Sequence, residues 1–228
     1  MKRSEINRAI RMAEAFFTRC HFTLPPFAGW TPEAFTGRPR AAIDEILTCN
    51  LGWDVTDFGH GDFAREGLLL VTLRNGVPGH ARYRKPYAEK IMISREGQRT
   101  LTHCHARKTE DIINRAGGVL EFRLHNRVGE SSLADTPVAF RRDGELCRCA
   151  PGEPVRLSPG ESITLEPDVF HSFVAAPGAG DVLIGEVSSV NDDHTDNVFY
   201  GVQLRFPTIE EDEAPYRLLV KDYEAMIP

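Results

Sequence analysis

The sequence predicts an all-β-dominated fold, a sandwich or barrel with helical additions. From Leu51 onward, short runs rich in Val, Ile, Leu, Thr and Phe alternate with Gly, Pro, Asn and Asp, as expected of strands joined by turns. Before Leu51, the apolar residues recur at helical spacing instead. The predicted strands lie in the segments GLLLVTLRNG, EKIMIS, GGVLEFRLHN, PVRLSPGESITL, SFVAA and DVLIGEVSSV.

The N-terminal region is expected to be helical. Ser4 is a candidate N-cap for an amphipathic helix, and the apolar stripe of that helix consists of Ile6, Ile10, Ala13, Phe16 and Phe17. Thr31 followed by Pro32 is typical of a helix start, and residues 41–49 form another helical candidate. A short closing helix is predicted within residues 215–227. We expect residues 1–50 to form an extension that packs on a barrel of residues 51–228, giving a single structural unit.

Composition and charge exclude several classes of partner. Lys and Arg number 27 against 33 Asp and Glu, so the net charge of −6 gives nucleic acid or an anionic membrane no reason to approach. Charged residues interrupt the segment MKRSEINRAIRMAEAFF where a secretory signal needs an apolar run. The five cysteines are sparse and odd in number, which favours free thiols in a reducing compartment. These features predict a soluble cytoplasmic protein.

Histidines and a glutamate gather in the segment THCHARKTEDIINRAGG. Residues two apart on a strand face the same side, so His103 and His105 are expected to converge. Glu110 begins the next predicted strand, and His171 follows a turn in the segment GESITLEPDVFHSF. Three imidazoles and one carboxylate would hold a divalent metal and leave two positions open in six-coordination. This donor set is compatible with manganese, iron, cobalt, nickel or zinc.

The spacing of these residues resembles the signature motifs of the cupin superfamily. Gly97 stands six positions before His103, and Gly117 stands seven positions after Glu110, as in the first cupin motif. Gly160, Pro167 and His171 resemble the second motif more loosely. The pattern HxHxxKxEDIINRxGG, followed by GESITLEPDVFH, GEVSSVNDDHTDN and RFPTIEEDEAPYRLL, is similar to the D-lyxose isomerase family of sugar ketol-isomerases over most of the chain.

This resemblance implies a cupin jelly-roll barrel and a metal-dependent aldose–ketose isomerase. The expected reactions interconvert D-lyxose with D-xylulose and D-mannose with D-fructose, and the implied metal is Mn²⁺. The reaction moves a proton between C1 and C2 through a cis-enediol. A metal with two open positions suits it, because chelation of O1 and O2 would stabilise the negative charge that develops on the sugar.

Further polar residues supply candidates for proton transfer and sugar binding. Glu186 is the preferred base, because it shares a strand face with apolar Val182 and Ile184, where burial is expected to raise its pKa. An alternative role for Glu186 is to orient an imidazole. Lys108 and the metal ligand Glu110 are the other catalytic candidates. The candidates for binding sugar hydroxyls are Lys90, Asp193 and His194.

Two other functions use the same predicted metal cage, because a fold does not determine its chemistry. An iron-dependent dioxygenase would bind oxygen as well as substrate, and a sugar-binding module would hold a diol without converting it. The polar candidates Lys108, Glu186 and Asp193 argue against an apolar dioxygenase pocket. The pair Cys147 and Cys149 lacks a partner CxxC or nearby histidines and is interpreted as ordinary strand residues. The aromatic N-terminal helix further suggests a homodimer in which the extensions pack against the partner, and the alternative is that each extension folds back on its own barrel.

Overall fold

The computed structural model describes residues 1–190, 196–201 and 208–226, and strands dominate after residue 51. The helices are α1 (Arg3–Arg19), α2 (Pro32–Thr36), α3 (Arg40–Thr48) and α4 (Tyr223–Met226), with 3-10 turns at Pro26–Gly29 and Val220–Asp222. The strands are β1 (Gly52–Thr56), β2 (Leu68–Arg74), β3 (Tyr87–Ser94), β4 (His103–His105), β5 (Glu110–Gly117), β6 (Leu120–Val128), β7 (Ser132–Leu133), β8 (Val138–Arg142), β9 (Glu145–Cys149), β10 (Pro154–Leu157), β11 (Ser162–Leu165), β12 (Val169–Ala175), β13 (Val182–Ser189) and β14 (Asn197–Phe199).

The strands form two antiparallel sheets. An eight-stranded sheet has the order β1-β2-β3-β13-β5-β11-β8-β9, and a six-stranded sheet has the order β10-β6-β12-β4-β14 with β7 paired to β6. A shared core joins the sheets, with Phe122 and Phe173 from the smaller sheet and Ile163 and Ile184 from the larger. The predicted all-β-dominated fold, a cupin-type jelly-roll barrel with helical additions, is therefore confirmed.

Helix α1 packs on the outer face of the eight-stranded sheet. Its apolar stripe, which the sequence predicts, lies against the sheet in a second buried cluster that includes Phe17, Trp53 and Val71. The prediction that Ser4 caps this helix is wrong. The helix begins at Arg3, since the Lys2 backbone N–H donates to the Glu5 carboxylate at 2.9 Å, while the Ser4 hydroxyl donates to Asp212 at 2.7 Å.

The shorter helices lie close to their predicted positions. Thr31 caps α2 by accepting a hydrogen bond from the Ala34 backbone N–H at 3.2 Å, and Pro32 is the first helical residue, as predicted. Helix α3 spans Arg40–Thr48, so it begins and ends one residue earlier than the predicted residues 41–49. The closing segment is a 3-10 turn that continues into α4. Among the described residues, no helix is long and apolar enough to cross a membrane.

Strand alternation places polar groups at one end of the barrel interior. On β13, Val182 and Ile184 join the barrel core, while Leu183 faces the α1 side. Glu186 continues the inward row, and the adjacent pairing of Ser188 with Glu110 brings the end of β13 beside the start of β5. The apolar core therefore ends where these charged side chains begin.

Candidate metal and catalytic centre

Three histidines converge inside the barrel. His103 and His105 lie two apart on β4, and His171 on β12 pairs directly with His103 across the six-stranded sheet. The ring centroids of His103 and His171 are 4.3 Å apart, and those of His103 and His105 are 5.2 Å apart. One potential ligand atom from each ring lies within 4.8 Å of the others. The period-two alternation of a strand thus produces the predicted convergence.

The ring nitrogens of two histidines are oriented by backbone carbonyls. Nδ1 of His103 lies 2.9 Å from the carbonyl oxygen of Leu101, and Nδ1 of His171 lies 3.1 Å from that of Val169. A carbonyl only accepts hydrogen bonds, so each Nδ1 carries a proton, and in the neutral ring Nε2 then presents the lone pair. This tautomer is the one that a metal ligand requires.

Glu110 lies beside the three histidines at the start of β5. Its Oε1 lies 3.4 Å from Nε2 of His105 and 3.1 Å from Nε2 of His171. Its other oxygen, Oε2, receives Lys108 Nζ at 2.6 Å. Burial raises the pKa of Glu110, but the opposing effects, led by the charge of Lys108, hold that pKa well below its usual range. Glu110 is therefore a carboxylate.

The three histidines fit a divalent metal, and the Glu110 carboxylate lies next to two of them. Burial lowers the pKa of His103 and His105, so both imidazoles are neutral at physiological pH and their lone pairs are available. Nε2 of His171 and a carboxylate oxygen of Glu110 lie 3.1 Å apart, close enough for both to bind one cation. Both ring nitrogens of His105 are buried without a hydrogen-bond partner in the described part of the chain. A buried ring nitrogen without a hydrogen-bond partner costs free energy. A bound cation would give such a nitrogen a partner.

A line of alternating charges leads away from the histidines. Oε1 of Glu186 accepts hydrogen bonds from Lys90 Nζ, Lys108 Nζ and the Ser188 hydroxyl, each at 3.0 Å. Because Lys108 also contacts Glu110, it bridges the two carboxylates. Among the described residues, the hydrogen bonds to Glu186 all end on Oε1, so Oε2 is available to a substrate proton.

The expected rise in the pKa of Glu186 is wrong. Burial does raise its pKa, but the charges of Lys108 and then Lys90 lower it further, and the net shift is downward. The apolar row on β13 allows the burial of Glu186 to be predicted from the sequence. Lys90 and Lys108, however, come from β3 and from the turn before β5, so their charges were not expected beside it. Glu186 is thus ionised at neutral pH. Its hydrogen bonds within the described residues go to two lysines and a serine.

The structure brings seven of the nine predicted site residues together: His103, His105, Glu110, His171, Lys108, Lys90 and Glu186. The other two, Asp193 and His194, lie outside the described residues. Sequence reasoning missed the neighbouring strand β14, where Phe199 pairs with His103 and Asn197 pairs with His105. The Phe199 ring lies 5.6 Å from the His103 ring. It also missed Asp196, a fully buried carboxylate immediately before β14.

Comparisons with known proteins agree with this geometry. The family model described as D-lyxose isomerase matches residues 1–223. A protein of Serratia proteamaculans named D-lyxose/D-mannose isomerase is 50% identical over 223 residues, which cover 98% of each chain. An Escherichia coli protein of the same name is 47% identical with the same coverage.

Solved structures of low sequence identity share the fold. An L-ribose isomerase from an Acinetobacter species, in complex with L-ribose, aligns with a TM-score of 0.59 at 16% identity, covering 92% of this chain and 98% of the other. The L-ribose isomerase of Geodermatophilus obscurus aligns with a TM-score of 0.56 at 17% identity and the same coverage. At such identity the likeness establishes the barrel, while the close relatives and the family model establish the enzyme class. The chain belongs to the D-lyxose isomerase family and is an aldose–ketose isomerase.

Proposed function

We propose that this enzyme is metal-dependent and interconverts D-lyxose with D-xylulose and D-mannose with D-fructose through a cis-enediol. The observation that carries the proposal is the buried line of Glu186, Lys108 and Glu110 that ends at the three histidines. The substrates follow from the two relatives named D-lyxose/D-mannose isomerase. The two aldoses share their configuration at C2 and C3, so one site can treat the reacting carbons of both alike.

Glu186 is the proposed base. Its Oε2 takes the proton from C2 of the aldose and returns it to C1, while the hydroxyl proton passes from O2 to O1 and the sugar goes through the cis-enediol. The three hydrogen bonds to Oε1 fix the carboxylate and leave its other oxygen for the proton. Two flanking cations keep it ionised before the reaction, and the same cations weaken it as a base.

Lys108 and Lys90 are proposed to act on the sugar oxygens. Lys108 is 3% exposed and bridges both carboxylates, so its ammonium can donate a hydrogen bond where negative charge develops on the substrate. Lys90 approaches Glu186 from the neighbouring strand and is proposed to bind a hydroxyl. Asp193 and His194 keep the same role as a prediction from the sequence.

The proposed metal ligands are His103, His105, His171 and Glu110. A divalent ion held there would supply Lewis acidity, which would stabilise the negative charge that develops on the sugar oxygens. Nitrogen and oxygen donors without thiolate suit manganese, our preferred ion, and also iron, cobalt, nickel or zinc.

Metal removal tests this proposal. Enzyme stripped with a chelator should stay folded, because the barrel core is apolar, and should lose at least about 100-fold of its D-lyxose isomerase activity. Mn²⁺ should restore the activity, with no requirement for oxygen. The measurement is ketose formation under anaerobic conditions, with D-lyxose, D-mannose, other aldoses and sugar phosphates as substrates.

A test variant and its matched control belong to the same experiment. His103→Ala should bind less Mn²⁺ by metal analysis, whereas Cys147→Ser, on β9 at the sheet edge, should bind the wild-type amount. Full activity in metal-free wild-type enzyme would remove metal dependence from the account. A requirement for oxygen would favour dioxygenase chemistry instead.

The enzyme is further proposed to act as a homodimer. Helix α1 is amphipathic and carries the exposed side chain of Met12, which is 44% exposed, on its outer face. Much of its aromatic surface, however, already packs on the protein's own sheet. Light scattering at micromolar concentration measures the mass, which should be twice that of one chain. The mass of one chain would contradict the dimer.

A cytoplasmic location is proposed on the chemistry of the thiols. All five cysteines are free, and Cys49, Cys104 and Cys149 are buried. Buried reduced thiols suit a reducing compartment.

A further inference from the structure

Asp196 is a buried carboxylate that binds the turn between β4 and β5. It is 0% exposed. Its Oδ1 accepts a hydrogen bond from the Arg107 backbone N–H at 2.8 Å, and its Oδ2 accepts one from the Lys108 backbone N–H at 3.3 Å. Its own carbonyl accepts from the Ala106 backbone N–H at 2.9 Å. Three consecutive amides of the turn are therefore held by one residue.

The same carboxylate faces the outer nitrogen of His105. His103 and His171 each direct Nδ1 to a carbonyl two residues earlier. His105 differs, because its Nδ1 lies 3.6 Å from Oδ2 of Asp196 and has no hydrogen-bond partner within the described ranges. The distance is slightly longer than a hydrogen bond, but attraction between a ring N–H and a carboxylate extends that far in a buried site.

We propose that Asp196 is a positioning residue for this centre, an inference that rests on the proposed function. Its carboxylate selects the His105 tautomer with the proton on Nδ1, so that Nε2 presents its lone pair toward Glu110 and His171. By holding the amides of Arg107 and Lys108, it also sets the turn from which Lys108 reaches both glutamates. Carboxylates that orient a histidine ligand in this way strengthen metal binding.

A competing explanation is that Asp196 serves only to pair with Arg107. The Arg107 Nε lies 3.6 Å from Asp196 Oδ1, but that side chain is 72% exposed. An ion pair with one exposed partner contributes little, so it does not account for a completely buried carboxylate. The backbone amides and His105 surround the same group from inside the protein.

The variant Asp196→Asn tests the proposal, because it keeps the size of the side chain and replaces one acceptor oxygen by an N–H donor. A donor facing His105 favours the tautomer with a bare Nδ1 and a protonated Nε2. Titration of Mn²⁺ into chelator-stripped protein should show an affinity about 10–100-fold weaker than that of the wild type. The matched control Arg107→Ala keeps the carboxylate and should bind Mn²⁺ as the wild type does.

Nitrogen-15 NMR of the His105 ring in metal-free wild type provides a readout that needs no variant. The proton should be on Nδ1, and Asp196→Asn should shift it toward Nε2. Wild-type Mn²⁺ affinity in a folded Asp196→Asn variant, or a proton on Nε2 in the wild type, would overturn the proposal. Equal losses in Asp196→Asn and Arg107→Ala would overturn it in favour of the surface ion pair. If wild type itself binds no Mn²⁺, the metal-dependent function fails, while the NMR result still decides the tautomer.

Discussion

At the scale of single residues, Glu186 is the proposed base and its surroundings fix its charge. It is 5% exposed, and both flanking lysines approach the same oxygen at 3.0 Å. A buried carboxylate would ordinarily take up a proton, but the two cations keep it ionised. The residue can therefore accept a proton before the substrate arrives, and Lys108 connects it with Glu110, the proposed metal ligand.

Replacing Glu186 by Gln should abolish proton transfer and keep the shape of the site. We expect kcat to fall by about 10²–10⁴-fold, the usual contribution of a general base, with a much smaller change in KM. Steady-state kinetics with D-lyxose, together with metal analysis, provides the measurement.

A matched control for this variant is Glu89→Gln. Glu89 pairs with Val187, next to Glu186, but its side chain points to the outer face and contacts Arg74. It should keep wild-type kcat. Normal turnover in Glu186→Gln, with full metal content, would move the base role to another residue, and Lys108 would be examined first.

Local spacing predicts the individual ligands but not every residue around them. His103 and His105 are two apart on one strand, so their convergence follows from local geometry. Phe199 and Asp196 reach the site through the pairing of β14 with β4, about 90 positions earlier. No sequence pattern defines that pairing. The direction of the Glu186 pKa shift could not be predicted from the sequence either, because Lys90 and Lys108 come from other segments of the chain.

At the scale of secondary structure, helix α1 covers the outer face of the eight-stranded sheet with its apolar stripe. Ile6 and Ile10 are 1% and 0% exposed, and Phe17 is 2% exposed beside Trp53, with ring centroids 6.1 Å apart. The stripe was predictable from its spacing. The start of the helix was not, because Asp212, near the end of the chain, contacts Ser4 and removes it from the capping role.

Truncating Phe17 to Ala should destabilise the protein by about 3–5 kcal/mol, because a buried aromatic side chain is lost and a cavity remains. The matched control is Met12→Ala on the exposed face of the same helix, which should change stability by less than about 0.5 kcal/mol. Chemical denaturation measures both. A change below 1 kcal/mol for Phe17→Ala would show that α1 is not an integral part of the core.

At the scale of the whole molecule, turn chemistry and strand composition were sufficient to predict a β-barrel, whereas the order of strands was not predictable from them. Neighbours such as β3 and β13 are far apart in sequence. We propose that residues 1–50 and 51–228 form one structural unit, supported by the cluster that α1 shares with β1, β2, β3 and β13. Within that unit the proposed ligands and the proposed base lie on separate strands.

Isomerisation of D-lyxose in deuterated water tests the central claim most directly. If Glu186 carries the proton from C2 to C1 through a cis-enediol, the proton can exchange with solvent on the carboxylate. Mass spectrometry or NMR of the D-xylulose formed should then show deuterium at C1. Product without any deuterium from solvent would contradict the account, because it would indicate a direct hydride shift between the two carbons.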